Sequence, residues 1–142
     1  MAEHLTFGGS TAARTLACPG WVNESKDLPN IESEYARKGT ALHTCFEEML
    51  LLDRDPTHFA GLTVAGVDID GEMVQDILIP AAKAFDELCD EFGVDIYEAE
   101  TMVKIADDVG GTADFICRGE DAVIIGDLKT GAGIQVEPDE NA

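Results

Sequence analysis

Two long stretches of the chain place apolar residues three and four positions apart, which is the spacing of one helix face. The first covers residues 31–52 and the second covers residues 72–92. Pro80 lies inside the second stretch. Because proline lacks a backbone N–H and clashes with the preceding turn, we expect it to kink this helix or to divide it after Leu78 or Ile79. The pattern predicts a largely helical middle part of the chain.

Shorter elements are expected around these helices. Residues 11–17 predict a short helix, and the polar residues 23–30 predict a loop. Gly39–Thr40 is a candidate break in the first long helix, and Gly93 is a natural stop for the second. The alternating run over residues 62–69 predicts a small hairpin or insertion.

Apolar and polar residues alternate cleanly over residues 95–105, which predicts the first strand of a core sheet. We expect it to pair with a strand over residues 112–117 through a turn at residues 107–110. A third apolar run, over residues 122–128, completes a predicted three-stranded meander.

The last two strands read as a tight antiparallel hairpin around residues 118–121. A turn centred on residues 120 and 121 places Asp114 opposite Asp127 on one face. Lys129 points to the same face and Leu128 points into the core, because side chains alternate along a strand. Directly opposed carboxylates repel each other, so this pairing indicates a positive charge between them, and a divalent cation is the natural candidate.

The charge balance does not resemble that of a nucleic-acid-binding protein. The 142 residues include 9 Lys and Arg against 29 Asp and Glu, a formal net charge of −20 at pH 7. Three interpretations stay open: solvated acidic faces suited to a salt-rich setting, a DNA-mimicking protein, or a fragment whose basic groove lies elsewhere. The length fits one domain with its own hydrophobic core.

The four cysteines, Cys18, Cys45, Cys89 and Cys117, are far apart and form no C-x-x-C pair. Zinc-ribbon and ferredoxin-type spacings are absent, so we interpret them as reduced, mostly buried thiols and expect no iron–sulfur cluster. No apolar run approaches the ~20 residues needed to cross a bilayer, and no signal-peptide pattern is present. We therefore expect a cytoplasmic protein without a membrane partner.

The sequence around Asp114 and Asp127 resembles a known nuclease signature. Gly111-Thr112-Ala113-Asp114, an apolar strand, and Asp127-Leu128-Lys129-Thr130-Gly131 are similar to the D…(D/E)-x-K pattern of the restriction-endonuclease-like PD-(D/E)XK superfamily, in the form typical of its RecB-like exonuclease branch. Gly39-Thr40-Ala41-Leu42-His43 with Glu47, and Ser10 with Cys18-Pro19-Gly20, extend the resemblance to phage and prophage members. The resemblance runs from about residue 10 to the end.

This resemblance implies a metal-dependent exonuclease that acts on linear DNA ends in phage DNA recombination. It implies that Asp114, Asp127 and the Leu128 backbone carbonyl bind Mg²⁺ or Mn²⁺, with His43 as a further ligand. Lys129 would orient or deprotonate the attacking water, so Asp114, Asp127 and Lys129 are the expected catalytic residues. Without the resemblance, His43 fits an incidental position beside an apolar stripe, and Asp127 with Lys129 fits a plain surface ion pair.

Two carboxylates are candidates for an accessory role at this site. Glu47 lies one helical turn after His43. Glu98 or Glu100 can reach the metal face from the first core strand, with Glu100 chosen as the candidate, although both also fit solvated strand positions.

Four residues are candidates for DNA contacts. By the resemblance, Arg14 and Trp21 border the DNA path, where they would meet a phosphate and stack on a base, while Trp21 equally fits a core anchor. Arg37 and Lys38 form the densest basic pair of the chain, which fits either a DNA-backbone contact or a solvated helix face.

The predicted fold is α/β: a restriction-endonuclease-like core with helices packed on a three-stranded, largely antiparallel sheet. It lacks the last αβ unit of the αβββαβ core, so the chain is either truncated or covered by a second copy or another chain. A single nuclease-like domain is expected, with an N-terminal helix and loop (1–30), a helical part (31–93), a core β-meander (94–131) and an acidic tail (132–142).

The sequence leaves three hypotheses about function open. The first is a metal-dependent DNA exonuclease in a phage-infected or prophage-carrying bacterial cell. The second is an inactive nuclease-derived domain that binds DNA or protein. The third is an acidic DNA mimic.

Overall fold

A computed structural model describes residues 7–29 and 31–130 of the chain, so the predicted acidic tail lies outside the described residues. The chain forms two compact units. Within the described residues, the first unit contains 7–29, 31 and 102–112, and the second contains 32–101 and 113–130. The fold is mixed α/β, as predicted.

The helices and strands follow one another in three groups. Two short helices come first: α1 (Ala12–Ala17), preceded by a 3-10 turn, and α2 (Trp21–Ser25). The helical middle contains α3 (Glu34–Leu52), a small hairpin of β1 (Thr63–Val64) and β2 (Val67–Asp68), α4 (Gly71–Met73), a π-helical turn (Val74–Leu78) and α5 (Ile79–Phe92). The core sheet contains β3 (Ile96–Ala106), β4 (Val109–Arg118) and β5 (Val123–Gly126).

The first unit contains α1, α2 and the far part of the β3–β4 hairpin. The backbone of Phe7 donates to Asp108 and accepts from Gly110, both at 3.0 Å, so the chain before α1 is tied to the hairpin turn. The predicted loop over 23–30 was too long, because α2 continues to Ser25.

Helix α3 is one continuous helix, so the candidate break at Gly39–Thr40 is wrong. The Ser33 side chain caps its first turn by accepting from the backbone N–H of Ala36 at 3.1 Å. Its apolar face is buried from Ala41 to Leu50, which offsets the low helix propensity of glycine and threonine. The residues of that face are Ala41, Leu42, Cys45, Phe46, Met49 and Leu50.

The second predicted helix is helical without a break from residue 71 to residue 92, and its geometry changes from a π-helical turn to an α-helix after Leu78, two residues before Pro80. Pro80 occupies the first turn of α5, where its missing N–H is tolerated, and the π-helical turn precedes it. Gly93 ends α5 in the left-handed conformation, with φ of 57°.

The core sheet has the strand order β3-β4-β5, with β4 in the centre. The observed pairs of β4 and β5 are Phe115 with Gly126, Ile116 with Ile125, Cys117 with Ile124, and Arg118 with Val123. This is the predicted antiparallel register. The small hairpin over residues 62–69 is also confirmed.

Three aromatic rings join the helices to the sheet in the second unit. The Phe115 ring lies 6.1 Å from the Phe46 ring of α3 and 5.2 Å from the Phe85 ring of α5. The Gly126 backbone lies directly under the Phe115 ring, so a Cβ at that position would overlap the ring. This packing fixes β4 against α3 and α5 close to Asp114.

Among the residues that the structure describes, no helix is both long enough and apolar enough to span a membrane.

Candidate metal centre

Three potential metal ligands converge in the second unit. His43 comes from α3, Glu100 from β3 and Asp114 from β4, and one ligand atom of each lies within 4.8 Å of the others. Among the described residues, this is the group of histidine, cysteine and acidic side chains whose spacing fits a bound metal ion.

His43 is half-buried on α3, one turn before the core residue Phe46. Its ring nitrogen Nδ1 lies 2.8 Å from the Asp114 carboxylate oxygen Oδ1, which accepts a hydrogen bond from the protonated ring. This hydrogen bond raises the pKa of His43 above its ordinary 6.5, against the lowering effect of burial, and the negative charges of Asp114, Asp127 and Glu100 add to the increase.

Asp114 is the buried acid of the site, with 7% of its surface exposed. One carboxylate oxygen faces His43, and the other accepts a hydrogen bond from the backbone N–H of Leu128. The two bonds orient the carboxylate and attach the chain after β5 to the site.

Glu100 has an unusual backbone for a strand residue. Its φ of 48° is left-handed, a conformation that non-glycine side chains adopt at a cost in energy. The side chain is half-buried, and this burial raises its pKa. The nearby charges of Asp114 and Glu47 raise the pKa further, while His43 opposes the increase.

Asp127 and Lys129 form an ion pair beside this group. Both side chains are solvent-accessible, with 46% of Asp127 and 65% of Lys129 exposed, whereas Leu128 between them packs against the core. The predicted alternation of these three residues is confirmed. Asp114 is buried, whereas Asp127 is exposed.

The donor set of His43, Glu100 and Asp114 fits a divalent cation. One imidazole nitrogen and two carboxylates suit Mn²⁺, and the carboxylates also suit Mg²⁺. Two half-buried or buried carboxylates at this distance repel each other, and a divalent ion would offset the repulsion.

The other predicted site residues lie at different places. Glu47 acts on Glu100 by its charge but is outside the converging group. Arg37 is exposed and Lys38 partly exposed near the start of α3. The Leu128 contact that the structure contains uses its N–H, so a role for its carbonyl stays a prediction.

Arg14 and Trp21 belong to the first unit. The guanidinium carbon of Arg14 lies 5.0 Å from the centre of the Trp21 ring, a cation–π arrangement. The Trp21 ring N–H donates to the Thr15 hydroxyl at 3.1 Å. Trp21 is only half-buried, so it is not a fully enclosed core anchor, and its role in DNA binding stays a prediction.

Sequence reasoning placed Glu100 only among the accessory residues. An alternating pattern assumes an unbroken extended strand, and a left-handed residue in its middle changes where the neighbouring side chains point. The alternation of residues 95–105 contains no signal for this conformation.

Comparison with known proteins gives a family without a described activity. A family model whose description is "Protein of unknown function (DUF2800)" matches residues 4–142. No solved structure matches the chain.

Proposed function

The chain belongs to the DUF2800 family of proteins of unknown function, and we propose that it is a metal-dependent DNA exonuclease built on a restriction-endonuclease-like core. Linear DNA is the proposed substrate, and Mg²⁺ or Mn²⁺ the proposed cofactor. The resemblance to RecB-like nucleases supports the reaction, and a phage or prophage recombination setting is part of the same proposal.

One observation carries this proposal. The Leu128 N–H donates to the Asp114 carboxylate, which also contacts His43, so the Asp-x-Lys segment is joined to the group of potential metal ligands. A surface Asp-x-Lys sequence alone is usually a simple ion pair. Here the ion pair of Asp127 and Lys129 lies next to three convergent potential ligands from α3, β3 and β4. Hydrolysis by a bound metal ion needs ligands and a positive charge placed together in this way.

His43, Glu100 and Asp114 would hold the ion. A divalent ion in this position supplies Lewis acidity toward the scissile phosphate. The hydrogen bond from the Leu128 backbone N–H orients the Asp114 carboxylate before substrate binds.

Lys129 would provide the positive charge of the proposed site. Its ammonium nitrogen Nζ would orient the attacking water and offset the negative charge that develops on the phosphate. Asp127 holds the ammonium group by the ion pair, and both side chains are accessible from solvent.

The test is degradation of end-labelled linear DNA. With Mg²⁺ or Mn²⁺ the protein should shorten linear DNA and leave closed circular DNA intact, and EDTA should stop the reaction. Lys129→Ala should lower the rate by at least about a hundredfold, the scale on which loss of one electrostatic catalytic group acts. Lys83→Ala removes a lysine of an exposed helical ion pair on α5 and serves as the matched control.

Metal-independent cleavage, or equal cleavage by Lys129→Ala and the wild type, would contradict the proposal. The net charge of −20 favours a second candidate, an acidic DNA mimic. A mimic would compete with DNA for a DNA-binding protein, cleave nothing, and lose little competition when Asp114 or Asp127 is replaced by alanine.

A further inference from the structure

We propose that Cys89 on α5 and Cys117 on β4 form a site of reversible oxidation, at which a peroxide converts the two thiols into an intramolecular disulfide. The sequence predicts only reduced thiols here, because the two residues are far apart in the chain. The inference depends neither on the metal site nor on the proposed nuclease activity.

The packing of α5 on β4 places the two cysteines next to each other. One turn before Cys89, the Phe85 ring lies 5.2 Å from the ring of Phe115, which is two residues before Cys117. Four residues along a helix and two residues along a strand each advance the chain by about 6 Å. The two thiols are therefore the next pair along the same helix face and the same strand face.

The contacts just beyond the cysteines continue the same order. A Cβ at Gly119, two residues after Cys117, would overlap the backbone carbonyl of Phe92 at the end of α5. The N–H of Asp95 donates to the carbonyl of Arg118 at 3.1 Å. The end of α5 and the end of β4 therefore lie against each other on both sides of the cysteine pair.

The two thiols are hydrogen-bonded to each other. Cys117 is completely buried in the core, whereas Cys89 is partly accessible to solvent. Burial raises the pKa of Cys117 to about 11, and the hydrogen bond adds to this increase, so Cys117 is the donor and Cys89 the acceptor. The pair thus contains one accessible sulfur and one enclosed sulfur in contact with it.

The surroundings of Cys89 make its oxidation slow. Burial raises the pKa of Cys89, and the charge of Asp86 adds to the increase, while the hydrogen bond from Cys117 opposes it. The thiolate is the reactive form of cysteine, so only a small fraction of Cys89 reacts at any time near neutral pH. Excess peroxide is therefore needed.

The reaction begins at Cys89, because a peroxide reaches the accessible sulfur first. The Cys89 thiolate attacks one oxygen of hydrogen peroxide, the O–O bond breaks, and hydroxide leaves and takes up a proton, so that Cys89 becomes a sulfenic acid. The Cys117 sulfur then attacks the Cys89 sulfur, the S–O bond breaks, and the thiol proton leaves with hydroxide as water. The two thiols lose two electrons and two protons, and one peroxide becomes two water molecules.

The experiment uses the full chain with Cys18→Ser, because the exposed Cys18 could otherwise join two molecules. Three thiols remain, those of Cys45, Cys89 and Cys117. After excess hydrogen peroxide in EDTA, the count of free thiols should fall from three to one. Trypsin should then release residues 84–104 joined to residues 105–118, and dithiothreitol should separate the two peptides.

Oxidation should also raise the midpoint of thermal unfolding by at least about 5 °C, because the cross-link restricts the unfolded chain. Cys89→Ser should keep its two remaining thiols and show no change in the midpoint. Cys45→Ala, which removes the buried thiol of α3, is the matched control and should still form the linked peptides.

Three free thiols after peroxide treatment would overturn the inference, as would a cross-link to Cys45 or a sulfinic acid at Cys89 in place of the linked peptides. Linked peptides that form only in urea would also contradict it, because the thiols would then meet only in the unfolded chain. A cross-link that lowers the unfolding midpoint would do the same, since the folded geometry would not accommodate the disulfide.

Discussion

His43 and Asp114 are 71 residues apart in the chain and meet at 2.8 Å. In the protein without metal, the Asp114 carboxylate stabilises the protonated imidazole, which is why the pKa of His43 is raised. A metal ion would compete with that proton, because the ligand form of histidine is neutral. The stability of the protein should therefore depend on pH through this pair, and that dependence can be measured without substrate.

In EDTA, the free energy of unfolding should depend on pH through His43. Because the folded pKa of His43 is above the ordinary 6.5, its contribution is fully present below 6.5 and is lost as pH rises through the raised pKa. The free energy of unfolding of the wild type, relative to His43→Gln, should therefore be larger at about pH 5.5 than at about pH 8.5. Urea titrations at both pH values measure it, and a difference that grows with pH contradicts the assignment.

At the residue scale, the sequence predicted some parts of the site better than others. His43 was identified through the resemblance, and Asp114 through the hairpin register as well. The left-handed backbone of Glu100 could not be predicted, because an alternating pattern contains no signal for a positive φ at a non-glycine residue.

Among the helices and strands, the β4–β5 hairpin determines the positions of Asp114 and Asp127. Its register follows from the short turn after Arg118 and was predictable, since turn length fixes register. The ladder between β4 and β5 ends at the pair of Phe115 with Gly126, next to Asp114 and Asp127. Asp127 therefore lies where the chain leaves the sheet after β5, whereas Asp114 lies within β4.

A substitution at Gly126 tests how the β4–β5 hairpin is packed. In Gly126→Ala the new methyl group would meet the Phe115 ring, which cannot withdraw because Phe46 and Phe85 enclose it. Overpacking of this kind costs about 1–3 kcal/mol, so thermal or urea unfolding should show a loss of that size. Gly71→Ala, at a glycine with open space around it, is the control and should cost little. Equal stability of the two variants would contradict this packing.

In the helices, burial of apolar side chains outweighed a local sequence signal. Near Pro80 the second helix changes from a π-helical turn to an α-helix without being divided, an irregularity that fits the missing N–H of proline. Gly39–Thr40 did not break α3, because burial of its apolar face outweighs local propensity.

For the molecule as a whole, the net charge of −20 opposes binding to DNA, which is also negatively charged. The same charge attracts divalent cations to the entire surface, so metal binding alone does not identify a site. What distinguishes the group of His43, Glu100 and Asp114 is its mixed nitrogen and oxygen donors and its burial.

The position of a bound ion therefore tests the account most directly. Crystals grown or soaked with Mn²⁺ can be measured at the manganese absorption edge, where anomalous scattering locates the ion. We predict a peak bonded to the imidazole of His43 and to carboxylate oxygens of Glu100 and Asp114. Fully occupied Mn²⁺ elsewhere on the acidic surface, with none at these three residues, would contradict the account.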